Sequence, residues 1–145
     1  MMNASNISLG FDREYNYFGE EAWDRASVLT LSSPMDRSTV KDYTLFESIL
    51  HHQLANKVGL SDLSTCKVLF SESNLTDSKQ RARLTELLFE TFDAYSLHVA
   101  PAPFLSALSS AQKSAVVLEC GHGSTTVFPV IDGFIILGFN LHFGS

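Results

Sequence analysis

The chain has 145 residues, 45% hydrophobic and 18% charged, which suits one globular domain or two small ones and not a disordered polymer. Sixteen Asp plus Glu against ten Lys plus Arg give a formal charge of −6, the wrong sign for direct nucleic-acid binding. No apolar run reaches membrane-spanning length, no secretory signal is readable at the N-terminus, and two cysteines, Cys66 and Cys120, are too few for a disulfide framework or an all-Cys zinc site, so the expectation is a soluble intracellular protein.

Residues 1–26 are polar and acidic with scattered aromatics and no sustained period of 2 or 3.6, which predicts loop, or a short helix near Glu20–Arg25. Val28, Leu29 and Leu31 form a β-like run that Ser32-Ser33-Pro34 stops. From Tyr43 the apolar spacing becomes helical. Leu45, Phe46, Ile49, Leu50, Leu54 and Val58 make one stripe, and Gly59 ends it. Residues 67–70 predict a short buried strand. A second helix follows, with Thr76 as its N-cap, Asp77 in its first turn, and Leu84, Leu87, Leu88 and Phe92 as its buried face. Leu97–Ala100 predicts a strand, and Pro101 and Pro103 mark a break before a short helix through Phe104, Leu105 and Leu108. The last third predicts a β-meander: a strand at 115–118, a turn at 119–123, a strand at 125–130, a hairpin at Asp132-Gly133 and a strand at 134–137. Strands between helices, followed by a meander, make the fold class α/β or α+β.

The densest chemical signal is Val116-Val117-Leu118-Glu119-Cys120-Gly121-His122-Gly123-Ser124. A strand ends in a carboxylate, and two glycines bracket a turn that opens into hydroxyl residues. Such a turn can aim successive N–H groups at an anion, and a strand-end carboxylate can hold a metal-bound water beside it. Taken alone, the pattern fits an ordinary β-turn better than a phosphate cradle. His51 and His52 point roughly 100° apart on a helix, so one packed and one surface imidazole is the simpler reading. His98 and His142 are isolated, and a neutral turn histidine is the simpler reading of His122. Lys79, Arg81 and Arg83 read as a solvated helix face, and no signature supports a Cys120–His dyad.

Several stretches together carry a family resemblance. Phe89-Glu90-Thr91-Phe92 resembles the Phe-Glu-Thr-Phe signature of actins and actin-related proteins. Gly19-Glu20-Glu21-Ala22 with Val28-Leu29-Thr30-Leu31 and Pro34 resembles a further segment of that family. So do Phe46-Glu47-Ser48-Ile49-Leu50-His51-His52 and Val68-Leu69-Phe70-Ser71-Glu72 with Leu75, and Arg81 falls on a family arginine. Glu119-Cys120-Gly121-His122-Gly123 falls on the family's second phosphate loop, and Pro129 through Gly133 on the segment after it. The likeness covers residues 15–145.

The resemblance implies a partial actin-like ATPase fold of the RNase H-like type, lacking the N-terminal phosphate hairpin and most of the second domain. Residues 1–33 would belong to a small outer subdomain, 34–112 to the helical part of the first domain, and 113–145 to the meander that opens the second. Residues 67–70 and 97–100 would be the last two strands of the first sheet. Glu119, Gly121, His122, Gly123 and Ser124 would be the cofactor-facing residues. Three of the departures fall on the chemistry. Glu119 replaces an aspartate, His122 replaces another, and Ala102 stands where the family places its water-positioning glutamine; an alanine cannot orient an attacking water. The implied protein has no catalytic residue, no resident metal and no cofactor, with weak ATP or ADP and Mg only in a longer chain. Its partners would be proteins, such as actin or subunits of actin-related complexes, with no membrane and no nucleic acid. Its location would be the cytoskeleton of the cytoplasm, or the nucleus. The alternative is a fragment of a longer protein that binds and slowly hydrolyses ATP and polymerises.

Overall fold

The computed structural model describes residues 4–8, 14–37, 39–73, 76–121, 125–136 and 141–143. The chain divides into two compact units, one of residues 1–36 and 40–61 and the other of 37–39 and 62–145.

In the first unit, Ala4–Ser8 (β1) and Glu14–Phe18 (β2) pair antiparallel, with Ala4 opposite Phe18 and Ser8 opposite Glu14. This hairpin corrects the expectation of loop over 1–26. The short helix is present, as Glu20–Asp24 (α1), with Ala22 fully buried. Residues 28–31 do not form the expected β-run. The Val28 and Leu29 N–H groups both donate to the Arg25 carbonyl, at 3.0 Å each, so the chain folds into a turn that buries Leu29 and leaves Val28 exposed. Met35–Asp36 (β3) and Thr39–Val40 (β4) form a minimal two-stranded pair.

Tyr43–Gln53 (α2) starts at Asp42, whose carboxylate accepts the Leu45 N–H at 2.9 Å and satisfies one orphan donor of the first turn. Ile49 is its buried centre. The helix widens into a π-turn at Leu54–Val58 and ends where Gly59 adopts φ +78°, a left-handed conformation that glycine takes without a Cβ penalty. Val58 departs from the expected stripe and is exposed.

In the second unit, Lys67–Glu72 (β5) and Ser96–Pro101 (β6) lie parallel, Lys67 beside Ser96 and Glu72 beside Pro101. Parallel neighbours need a crossover, and Ser78–Glu86 (α3) supplies it. Its cap is Asp77, not Thr76: the Asp77 carboxylate accepts the Gln80 N–H at 2.7 Å. Both residues are good caps by type, and register decides between them. The helix continues as a π-turn over Leu87–Thr91, and Leu84, Leu87, Leu88 and Phe92 are buried as the spacing predicts. The Phe92 carbonyl accepts the Leu63 N–H at 2.9 Å, and the Leu63 carbonyl accepts the Tyr95 N–H at 3.0 Å, which ties the helix exit to the segment before β5.

Ala102–Ser109 (α4) follows β6 directly. The meander comprises Ala115–Cys120 (β7), Thr125–Ile131 (β8) and Phe134–Ile135 (β9), all antiparallel. Asp132 and Gly133 at its second turn both have positive φ, as a type I′ hairpin requires. The last strand is shorter than expected, since Ile136 lies beyond β9 and Leu137 lies outside the described residues. Leu141–Phe143 (β10), which the sequence does not predict, pairs with the other end of β8 on the side that β9 occupies. Alternation along β7 and β8 sends Val117, Phe128 and Val130 inward. Ala107 of α4 packs against Val117 and Val130, with Ala115 and Ile135 at the margin. Helix α4 touches strands of both sheets, so it fixes the carboxyl end of β6 relative to β7.

Candidate functional site

Strand β5 ends in a glutamate and β7 carries one as its penultimate residue, and the structure gives the two different surroundings. Glu119 lies within β7 and not in a turn: it pairs with Thr126, and Cys120 pairs with Thr125, so the strand runs two residues further than predicted. It belongs to the inward row of Ala115 and Val117 and is half-buried beside the buried Thr126. The Ser106 hydroxyl of α4 donates to Glu119 Oε1 at 3.2 Å. Gly121 follows the strand and is exposed, whereas His122, Gly123 and Ser124 lie outside the described residues.

Ala102, which the resemblance puts at the glutamine position, is the first residue of α4 and is half-buried. Pro101 is its N-cap and Pro103 enters the first turn, so no side chain caps this helix. Proline suits the first turn, where a missing N–H breaks no intrahelical bond. The head of α4 therefore presents one methyl group, Ala102, between two prolines and offers no side-chain donor or acceptor.

At the end of β5, Glu72 is buried, and Arg81 of α3 reaches across to it. Arg81 Nε donates to Oε2 at 3.1 Å and the guanidinium also donates to Oε1, a two-pronged pair. The hydrogen bond to Glu72, and then its charge, raises the Arg81 pKa above its ordinary value. Arg81 thus departs from the reading of a purely solvated Lys79–Arg83 face, although its side chain remains half-exposed.

His51, His52 and His98 follow the simpler reading. His52 packs against Phe18 with ring centroids 4.7 Å apart and the rings tilted by 33°, His51 and His98 are exposed, and the side chain of His142 lies outside the described residues. Both cysteines are free, Cys66 half-buried and Cys120 exposed. The structure joins Glu119 to Ser106, a partner that sequence reading did not single out. Nothing local marks Ser106, because the contact spans 13 residues and depends on α4 folding back along β7.

Mg-nucleotide chemistry needs several oxygen ligands and a group to place water. The described residues supply one carboxylate, one hydroxyl and one glycine N–H here. Among the described residues no group of three or more His, Cys, Asp or Glu is arranged to hold a metal ion.

A mixed α/β chain with small sheets, a parallel β5–β6 pair bridged by a helix, and a meander behind a short helix defines the architectural class. The family model described as Actin matches residues 4–138. The chain belongs to the actin family.

Proposed function

We propose that this chain is a divergent actin-family protein with a structural or scaffolding role, whose nucleotide position is degenerate and does not hydrolyse ATP. The observation that carries the reading is the head of α4, where Ala102 stands on the family glutamine position between Pro101 and Pro103. Water activation for phosphoryl transfer needs a side chain that accepts or orients the nucleophile's proton, and a methyl group does neither. Glu119 in place of aspartate and His122 in place of a second acid add to it, since the latter exchange removes negative charge from the position beside the divalent cation. The partners on this reading are proteins, including actin or subunits of actin-related complexes. The setting is the cytoskeleton or a nuclear assembly.

The test is phosphate release by the purified chain with ATP and Mg. The expected result is no release above a protein-free blank. Release above the blank that Gly121→Asp abolishes would overturn the reading, because it would place turnover at this loop.

A further inference from the structure

The meander has two faces, and only one is covered by helix α4. Its inward face packs Val117 and Val130 against Ala107. The outward face carries Val116 and Leu118 from β7, Ile131 from β8 and Phe134 from β9, exposed by 73, 62, 53 and 74%. The register makes these neighbours rather than scattered residues. Leu118 lies opposite Val127, Val116 opposite Pro129, and Ile131 opposite Phe134. None of these outward side chains is charged. Together the exposed side chains form an apolar patch on the order of 500 Å², at the upper end of what a monomer ordinarily leaves in water.

We propose that this face is a homodimer interface, occupied by the same face of a second copy. Two such patches in contact bury on the order of 1,000 Å², the lower bound for a specific association. A two-fold axis brings identical surfaces together, so a self-contact requires a patch with no like charges to oppose. This one meets that condition in a chain whose net charge of −6 would otherwise drive copies apart. Two sheets stacked face to face bury Leu118 and Phe134 of both copies, whereas joining β7 edges would leave them in water. The inference does not depend on the proposed loss of hydrolysis.

Sedimentation equilibrium of the full chain at increasing concentration, with and without added sodium chloride, tests it. A monomer–dimer equilibrium is expected, strengthened by salt, because salt screens the net charge and the contact itself is apolar. Val116→Lys and Phe134→Lys, on different strands, should each raise the dissociation constant by about a hundred-fold. Leu69→Lys, at an exposed position on β5, should leave it unchanged. In the unaltered chain, Cys120 points to the same outward face and should alkylate more slowly as the dimer fills, while Cys66 keeps its rate. A monomer at all concentrations overturns the proposal, as does an equal loss of association in Leu69→Lys or a Cys120 rate independent of concentration.

Discussion

Arg81→Ala isolates the contribution of the Glu72–Arg81 pair to the stability of the second unit. The Glu72 side chain is 4% exposed and that of Arg81 54%, so the two ends of the pair differ in their access to water. Removing the guanidinium takes two donors from a buried carboxylate, whereas removing the carboxylate leaves a guanidinium that water can reach. Breaking a fully buried pair costs about 3–5 kcal/mol and breaking an exposed one under about 1 kcal/mol. With one partner in each regime, Arg81→Ala should cost about 2 kcal/mol and Glu72→Ala about 1 kcal/mol. Arg81→Lys keeps the charge but loses the fork, and should fall between the unaltered chain and Arg81→Ala.

The pH dependence has a fixed sign. The folded-state pKa of Arg81 lies above its unfolded value, so its contribution is complete below the unfolded value. It is lost only as pH rises through the folded one, beyond the usual working range. The difference between the unaltered chain and Arg81→Ala should therefore be constant across neutral pH as far as Arg81 titration is concerned. Because the chain divides into two units, urea unfolding should be accompanied by hydrogen exchange of the α3 amides, which reports the affected unit directly. An Arg81→Ala cost within extrapolation error, or a larger cost for Glu72→Ala, would refute the reasoning.

Two further substitutions test local assignments. Asp77→Ala should destabilise α3 by about 1 kcal/mol while Thr76→Ala has little effect, with α3 amide exchange as the readout; equal effects would return the cap to Thr76. Phe92→Ala, at a residue 1% exposed, should cost about 3–5 kcal/mol in urea unfolding, a loss that Phe89→Ala, 39% exposed, should not match.

What the sequence made legible follows from range. Helix α2 and its Gly59 stop, the apolar spacing of α3 and the Asp132-Gly133 hairpin rest on patterns within a few residues, where periodicity and turn chemistry act directly; β5 and β6 show locally only as short apolar runs, since their pairing joins Lys67 to Ser96. The β1–β2 hairpin had half a signal: Glu14-Tyr15-Asn16-Tyr17-Phe18 alternates, but Ala4–Ser8 contributes one large apolar residue, Ile7. The 28–31 run fails for the opposite reason. It has β-favouring residues, yet the preceding helix turn takes the Val28 and Leu29 N–H groups before any strand can. At the site, Glu119 and Ala102 were identifiable as positions, but their surroundings were not. The Ser106 bond and the Glu72–Arg81 pair depend on elements brought together by packing, which one sequence does not encode locally.

Glu119 has a structural partner of its own on the helix beside its strand. The Ser106 hydroxyl on the adjoining helix donates to Oε1 at 3.2 Å. An ionised carboxylate has several lone-pair sites, so this bond occupies one of them and leaves the others open. Ser106 is exposed, so the bond itself contributes little to stability. Its effect is orientation: it ties the end of β7 to α4, the helix that also carries Ala102 and packs Ala107 into the core. Glu119 thus acts together with Ala107 in joining strand and helix.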